Sequence, residues 1–404
     1  MRAISRAAAA IEIIDDYLIG KPIEVALKSW FRGNRFAGSG DRYSIRDIIF
    51  EVIRKRKSLI FPFELRGYKE NGRLLILSYL ADHYKKDELI NEIKKNEYFP
   101  SPPNSSEIKI LEEKNQILAG APSSIAFNYP SFLSDGLSQS LGADLKSVMK
   151  EMQERAPLYL RVNLIKNQIT EAQKKLAIER ILCSRLSTAT NALQVIEGGK
   201  LVKSSRSYNS GMIEIQDLSS QIMCDLPEII KGGRILDYCA GGGGKILAIA
   251  SSTMNRGELL AFDINQKRLV ELTSRANRAG ANIKLLNILD LKNYRSSCDV
   301  VFVDAPCSGS GVWRRDPQAK WNLTKSRLEE LKENQAKILK EASCHVKVGG
   351  AIIYVVCSLL PEEGNTQVNL FLMENPNFRD LNRMFLHPLV AGDGFFRAVL
   401  KRVS

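Results

Sequence analysis

Histidine is nearly absent from this chain of 404 residues, which has only three, His83, His345 and His387. Cysteine is scarcely better supplied: seven thiols, an odd number, stand at Cys183, Cys224, Cys239, Cys298, Cys307, Cys344 and Cys357, with no CxxC pair among them. Neither a zinc cluster nor a disulfide framework can be assembled from such a set, so the expectation is no metal, reduced thiols and a cytoplasmic protein. Long apolar runs are missing as well. None approaches the ~18 residues of a membrane span, so no membrane association is expected.

Negative charge is the other shortage, with 45 Asp and Glu against 58 Lys and Arg and a formal net charge of +13. A surplus of cations suits a polyanionic partner, because Lys and Arg that displace counterions from phosphates gain binding free energy. The opening MRAISRAAAAIEIIDDYL has the early arginines and alanines of a targeting peptide. Glu12, Asp15 and Asp16 follow at once, however, and Ile4, Ala7, Ala8, Ile11, Ile14 and Leu18 share one helical face. The segment is read as a first core helix.

Three regions follow from the patterning. Residues 1–135 are read as a helical domain; RYSIRDIIFEVIRKRKSLI stripes Ile45, Ile48, Ile49, Val52 and Ile53 along one side, and the prolines of YFPSPPNSSE make a connector. Residues 136–210 are read as a small α+β connecting module of β-α-β-β order, built on LYLRVNL, EAQKKLAIERIL, ALQVIEGG and the following GMIEIQD. Residues 211–404 alternate short apolar runs with helices: RILDYCA, GELLAFDI, IKLLNILD, CDVVFVDA and GAIIYVVCS. Such runs describe a parallel sheet covered on both faces, an α/β doubly wound, Rossmann-like domain with its ligand at the carboxyl ends of the strands.

RILDYCAGGGGKIL couples a strand and an acid to a glycine loop and a helix start. It is not a Walker A loop: Cys239 stands where the first glycine belongs and Ile246 where a magnesium-binding hydroxyl would. Ile246 also occupies the last glycine's place in GxGxxG. Cys239, Ala240, Gly241, Gly242, Gly243, Gly244 and Lys245 therefore form a loop open to close backbone approach but lacking pyrophosphate spacing. Asp263, Asp290 and Asp304 are read as closing the next three strands, Asp263 about 20 residues past the loop, where an acid meets a ribose diol. A strand-end Asp also serves as a helix N-cap. A glycine loop with several strand-end acids and no phosphate motif suits an adenosine ligand without phosphates, and S-adenosylmethionine fits.

Two apolar runs deliver cysteines: VFVDAPCSGSG carries Asp304 and Cys307, and IIYVVCSLLPEEG carries Cys357. With their surroundings, DAPCSGSGVWRRDPQAKW, GGAIIYVVCSLLPEEGN and GDGFFRAVLKR, they resemble the RNA cytosine-5 methyltransferases of the Sun/Fmu (RsmB) and NOL1/NOP2 family over about 200 C-terminal residues. LYLRVN and QDLSSQ resemble its upstream elements, and the N-terminus resembles the NusB-like RNA-binding domain of bacterial Sun-type members. The resemblance implies that Cys357 is the nucleophile, that Cys307 serves product release, that Asp304 holds the cytosine's N3/N4 edge, and that Lys245 belongs to the cofactor loop and active-site rim. It implies RNA, and for the bacterial type small-subunit ribosomal RNA, as substrate. A monomer is expected.

Two departures stand out. The family's CAAPGGK is CAGGGGK here, with Gly241 and Gly242 in place of Ala and Pro, and the Thr before the nucleophile is Val356. Lost proline makes the loop looser in the unfolded chain by ~0.4–1 kcal/mol. Trp313, Arg314, Arg315, Lys320 and Trp321 in VWRRDPQAKW suit a phosphate backbone beside an unstacked base. The rival readings are a DNA cytosine-5 methyltransferase, which uses the Pro-Cys thiol as nucleophile, and a non-catalytic RNA-binding assembly factor.

Overall fold

The computed structural model describes residues 1–227 and 232–404. They form two compact units. One comprises Met1–Asp135, Ala143–Arg155 and Trp313–Leu323; the other comprises Gly136–Gly142, Ala156–Val312 and Thr324–Ser404.

The first unit is helical. Its opening helix, Ala3–Leu18, buries Ile4, Ile11 and Ile14 together with the whole run Ala7–Ala10. Four small side chains in succession widen the buried stripe and let the helices Ser39–Arg54 and Gly72–Ala81 pack closely against it. Gly72 N–H donates to Asp15 Oδ1 at 2.6 Å and Asn71 caps Leu74, so the third of these helices starts where two orphan amides find acceptors. A helix at Ser105–Ala119 begins on an Asn104/Glu107 capping box directly after the proline connector.

The stripe expected to run from Arg42 to Ile60 is broken at Lys55 into helices Ser39–Arg54 and Arg56–Glu64. The segment Trp313–Leu323 supplies the reason. Trp321 Nε1 donates to the Ile53 carbonyl at 2.7 Å, Lys320 Nζ to the Arg54 carbonyl at 2.8 Å, and Arg54 Nε returns a bond to the Arg314 carbonyl at 2.7 Å. Carbonyls left over at a helix C-terminus are thus met by an indole and an ammonium. On the other side of the break, buried Asn128 accepts from Ser58 N–H at 2.9 Å. This corrects the reading of VWRRDPQAKW as a nucleic-acid loop: Trp313, Arg314 and Lys320 are buried, and burial drives the Lys320 ammonium well below its ordinary pKa.

The second unit holds two sheets. Strands β1 (Tyr159–Val162), β2 (Leu182–Arg185), β3 (Ala192–Glu197) and β4 (Ile213–Ile215) form an antiparallel sheet in the order β2-β3-β1-β4. The helix read at 171–182 ends at Ile178, and the residues after it form β2, a strand the sequence reading lacked.

The larger sheet contains β5 (Arg234–Asp237), β6 (Glu258–Ala261), β7 (Lys284–Leu285), β8 (Cys298–Asp304), β9 (Val346–Val356), β10 (Phe378–Leu386) and β11 (Phe395–Arg402), in the order β10-β11-β9-β8-β5-β6-β7. The five strands from β9 to β7 are parallel; β11 runs antiparallel to β9 and β10 antiparallel to β11, an ending that strand-helix alternation did not foretell. Alternate residues face opposite cores, as pleating requires. Ile235, Leu259, Val300, Phe302 and Ile353 pack with the helices Gly244–Thr253 and Gln266–Ala279, whereas Leu236, Leu260, Val301, Ile352 and Tyr354 pack with Lys325–Ser343 and Asn365–Glu374. From β5 the chain adds β6 and β7 on one side, then crosses to β8 and β9 on the other. The reversal puts the switch point between β5 and β8, where an open α/β sheet binds its ligand.

Candidate active site

The loop after β5 is shaped by what surrounds it. Gly243 has φ +86°, and a Cβ there would stand 2.2 Å from Leu272 Cδ1, so only glycine both turns and fits. The loop's polar groups are tied down. Gly241 N–H donates to Asp263 Oδ2 at 2.8 Å, Arg275 Nη1 donates to the Gly242 carbonyl at 2.6 Å, and Arg161 Nη1 to the Gly244 carbonyl at 2.9 Å. Arg161 also donates to Gln216, and Arg275 and Arg278 share the buried Glu214 carboxylate. LYLRVN and QDLSSQ thereby brace the glycine loop from the small sheet, which offsets the freedom that the missing proline leaves.

Asp263 lies two residues beyond β6 and is buried; its Oδ1 accepts from Asn265 N–H at 2.8 Å. Asn265, not Asp263, caps the following helix. Asp290 is placed differently from the sequence reading. β7 ends at Leu285, and Asp290 sits in the one-turn helix Ile288–Leu291, where its side chain completes a capping box with Asn287. The two residues Lys284–Leu285 pair with β6 and the chain then turns, because Asn287 offers its side chain to two amides. Asp304 does close its strand, β8.

Asp237, at the end of β5, was passed over as a site residue. It is buried, and its carboxyl oxygens have no hydrogen-bond partner; the Cys239 amide lies near enough to favour the charge slightly but lacks ordinary bonding geometry. Burial, and then the Asp304 charge, push its pKa up to about 7. An acid before the glycine loop was the available signal. Cys239 packs with the core on the Tyr354 face, and burial raises its thiol.

Beyond β8 and β9 the two cysteines meet: Cys307 Sγ and Cys357 Sγ stand 3.3 Å apart. Beside them Lys245 Nζ donates to Asp304 Oδ2 at 2.5 Å and lies 5.4 Å from the Phe395 ring centre. Burial works against the Lys245 charge, but the Asp304 carboxylate together with the Cys224 and Cys357 thiols outweighs it and the net shift is upward, so the ion pair is kept. Cys307 is raised by its hydrogen bond with Cys357, by burial, and by the charges of Cys357 and Glu363. The cysteine loops are locked to each other: Gly311 N–H donates to the Cys357 carbonyl at 3.0 Å, and Gly394 N–H to the Gly311 carbonyl at 2.8 Å. A Cβ on Gly311 would stand 1.9 Å from the Gly394 carbonyl oxygen, and one on Gly394 would stand 2.7 Å from Gly311 Cα, so both positions require glycine.

The chain can be placed among known proteins. Residues 227–399 match the family described as 16S rRNA methyltransferase RsmB/F, and residues 129–201 match the ferredoxin-like domain of RsmF/B-like methyltransferases. Ribosomal RNA small subunit methyltransferase B of Proteus mirabilis (strain HI4320) is 30% identical over 283 residues, 68% of this chain and 66% of that protein. The chain thus spans just under two thirds of the length of the curated relatives it matches. Among solved structures, PH0851 aligns over 100% of both chains at a TM-score of 0.75 and 21% identity. A methyltransferase homolog protein from Pyrococcus horikoshii aligns over 70% of this chain and 100% of its own, at a TM-score of 0.60 and 23% identity. At those identities the likeness is one of fold. Family matches to both the small sheet and the larger sheet make the chain a member of the RsmB/F methyltransferase family.

Proposed function

We propose that this protein transfers a methyl group from S-adenosylmethionine to carbon 5 of a cytosine in RNA, with small-subunit ribosomal RNA as substrate. The observation that carries the reading is the thiol pair, Cys307 and Cys357 at 3.3 Å, beside the Lys245–Asp304 ion pair at the switch point of the sheet.

The residues present fit the cofactor. The glycine loop offers backbone at close range, Asp263 stands behind it, and Asp237 has two carboxyl oxygens without partners beneath it. When bound, the cofactor supplies an electrophilic methyl group on a sulfonium. Asp263 is assigned to the ribose diol, and Lys245 with the loop 239–244 to the cofactor's immediate surroundings.

Carbon 5 of cytosine is a poor nucleophile. Addition of the Cys357 thiolate to carbon 6 gives the ring enamine character and activates carbon 5. Asp304, paired with Lys245, accepts from the base's N4 amino group and orients the ring. Cys307 is assigned to the release step, in which the carbon-5 proton passes to a base and the bond between carbon 6 and the Cys357 sulfur breaks. A base attacked from below its plane must leave its stack, so the target is single-stranded or flipped out. The helical unit is assigned, as a NusB-like domain, to RNA binding.

The test is an asymmetry between the two cysteines. Cys307→Ala should form the covalent adduct and fail to resolve it, accumulating a species cross-linked to RNA that survives denaturing gels and disappears with nuclease. Cys357→Ala should show neither adduct nor methyl transfer, and so should the double variant. Adducts in Cys357→Ala and none in Cys307→Ala would exchange the roles, as in the DNA-methylating enzymes.

A further inference from the structure

The Pro-Glu-Glu run after Cys357 contains a carboxylate to which the chemistry above gives no part. Glu363 is fully buried, at 0% exposure, and is not paired with a cation in any ion pair among the described residues. Four donors satisfy it instead. Oε1 accepts from Ser308 N–H at 2.7 Å and Gln335 Nε2 at 3.0 Å; Oε2 accepts from Ser308 Oγ and Ser358 Oγ, each at 2.5 Å. Ser308 follows Cys307 in the chain and Ser358 follows Cys357.

We propose that Glu363 is a positioning residue that holds the two thiols at their separation by fastening the residue after each of them to one carboxylate. A buried carboxylate without a cation is costly unless every lone pair is met, so the loops cannot drift without stranding the charge. Three of its four bonds come from the two serines. Gln335 completes the clamp on the far side of Cys307, donating from the same amide to the Pro306 carbonyl at 2.9 Å. Glu363 is itself anchored, since Tyr354 Oη on β9 donates to its main-chain carbonyl at 2.8 Å. Cys307 is therefore held at the residue before it and the residue after it, and Cys357 through Ser358 and the Gly311 amide. The inference rests on the proposed roles of the two thiols, but its test does not depend on methyl transfer.

Phenylarsine oxide condenses with two neighbouring thiols, one arsenic bridging both sulfurs with loss of one water. In the full-length protein it should bridge Cys307 and Cys357, read by mass spectrometry of the joined peptides, and neither Cys307→Ala nor Cys357→Ala should form that bridge. Glu363→Ala should slow bridging about tenfold or more, as expected when charge-assisted tethers are lost. Glu363→Gln keeps the shape and one carbonyl acceptor and should fall between them. It should also lower kcat with little change in KM, since the thiols are displaced and the binding surfaces are not. S-adenosylmethionine affinity checks that each variant is folded. Where Glu363→Ala does not fold, Glu363→Gln carries the test. Bridging at the wild-type rate in the folded variants overturns the positioning role. Methyl transfer persisting in Cys357→Ala would overturn the nucleophile and leave the bridging result intact.

Discussion

Asp237 shows how much a single residue can depend on its enclosure. Burial, as the main cause, lifts its carboxyl group from the ordinary 3.8 to about 7 in the folded protein. Between those values the native chain holds a proton that the unfolded chain has released. Its contribution to stability is therefore complete below the unfolded value and is lost as the pH rises through the folded one. Asp237→Asn, which keeps the shape and removes the titration, should flatten the fall in stability between about pH 4 and pH 7. At about pH 8 the variant should unfold at higher urea than the wild type, because no charge is then forced into a site without donors. Parallel urea midpoints across that range would mean that Asp237 is not the titrating group. The Asp237 environment could not be read from the chain, because burial comes from the sheet packed around it. The strand-end position of Asp304 was legible because strand, acid and loop follow one another in sequence, whereas Asp263 falls two residues past the end of β6. Asp290 was misread for the opposite reason: its neighbour Asn287 satisfies local amides and ends the strand early.

At the scale of elements, the glycine loop is held by arginines from two others, Arg161 on β1 and Arg275 on the helix Gln266–Ala279. Arg275→Ala removes a charged bond to the Gly242 carbonyl, while Arg278 still pairs with Glu214. Such bonds contribute ~1.5–3 kcal/mol, so cofactor affinity measured by calorimetry should fall roughly tenfold to a hundredfold. Unchanged affinity would mean that the loop keeps its shape without the clamp. The five parallel strands were legible from apolar runs alternating with helices. β2 was not, because LCSR supplies little apolar contrast at the edge of its sheet. The antiparallel pair β10–β11 was hidden because periodicity reveals a strand but not its direction. Trp313, Arg314 and Lys320 were misread because cations beside aromatics look the same on a surface as they do when capping buried carbonyls; only the partners Ile53 and Arg54, some 260 residues away, decide the matter.

At the scale of the whole molecule, the helical unit is completed by Trp313–Leu323, a segment inserted between elements of the other unit. Removing residues 1–135 would strip Lys320 and Trp321 of the carbonyls they bond and remove the Arg54 donor to the Arg314 carbonyl. The truncated protein should therefore be cut by protease within residues 313–323 at concentrations that leave the full chain intact, and its solubility should fall. Resistance of 313–323 to cleavage in the truncated protein would show that the segment has other support.

A unit assembled from segments so far apart imposes an order on biosynthesis. The first 135 residues leave the ribosome early, but the Trp321 and Lys320 bonds to Ile53 and Arg54 cannot form until residue 321 has been added. At ~5–20 residues per second, the stretch from Arg155 to Trp313 occupies the ribosome for roughly 8–30 s. Throughout that time the nascent helices wait without the Trp321 and Lys320 donors that the Ile53 and Arg54 carbonyls accept from in the finished fold.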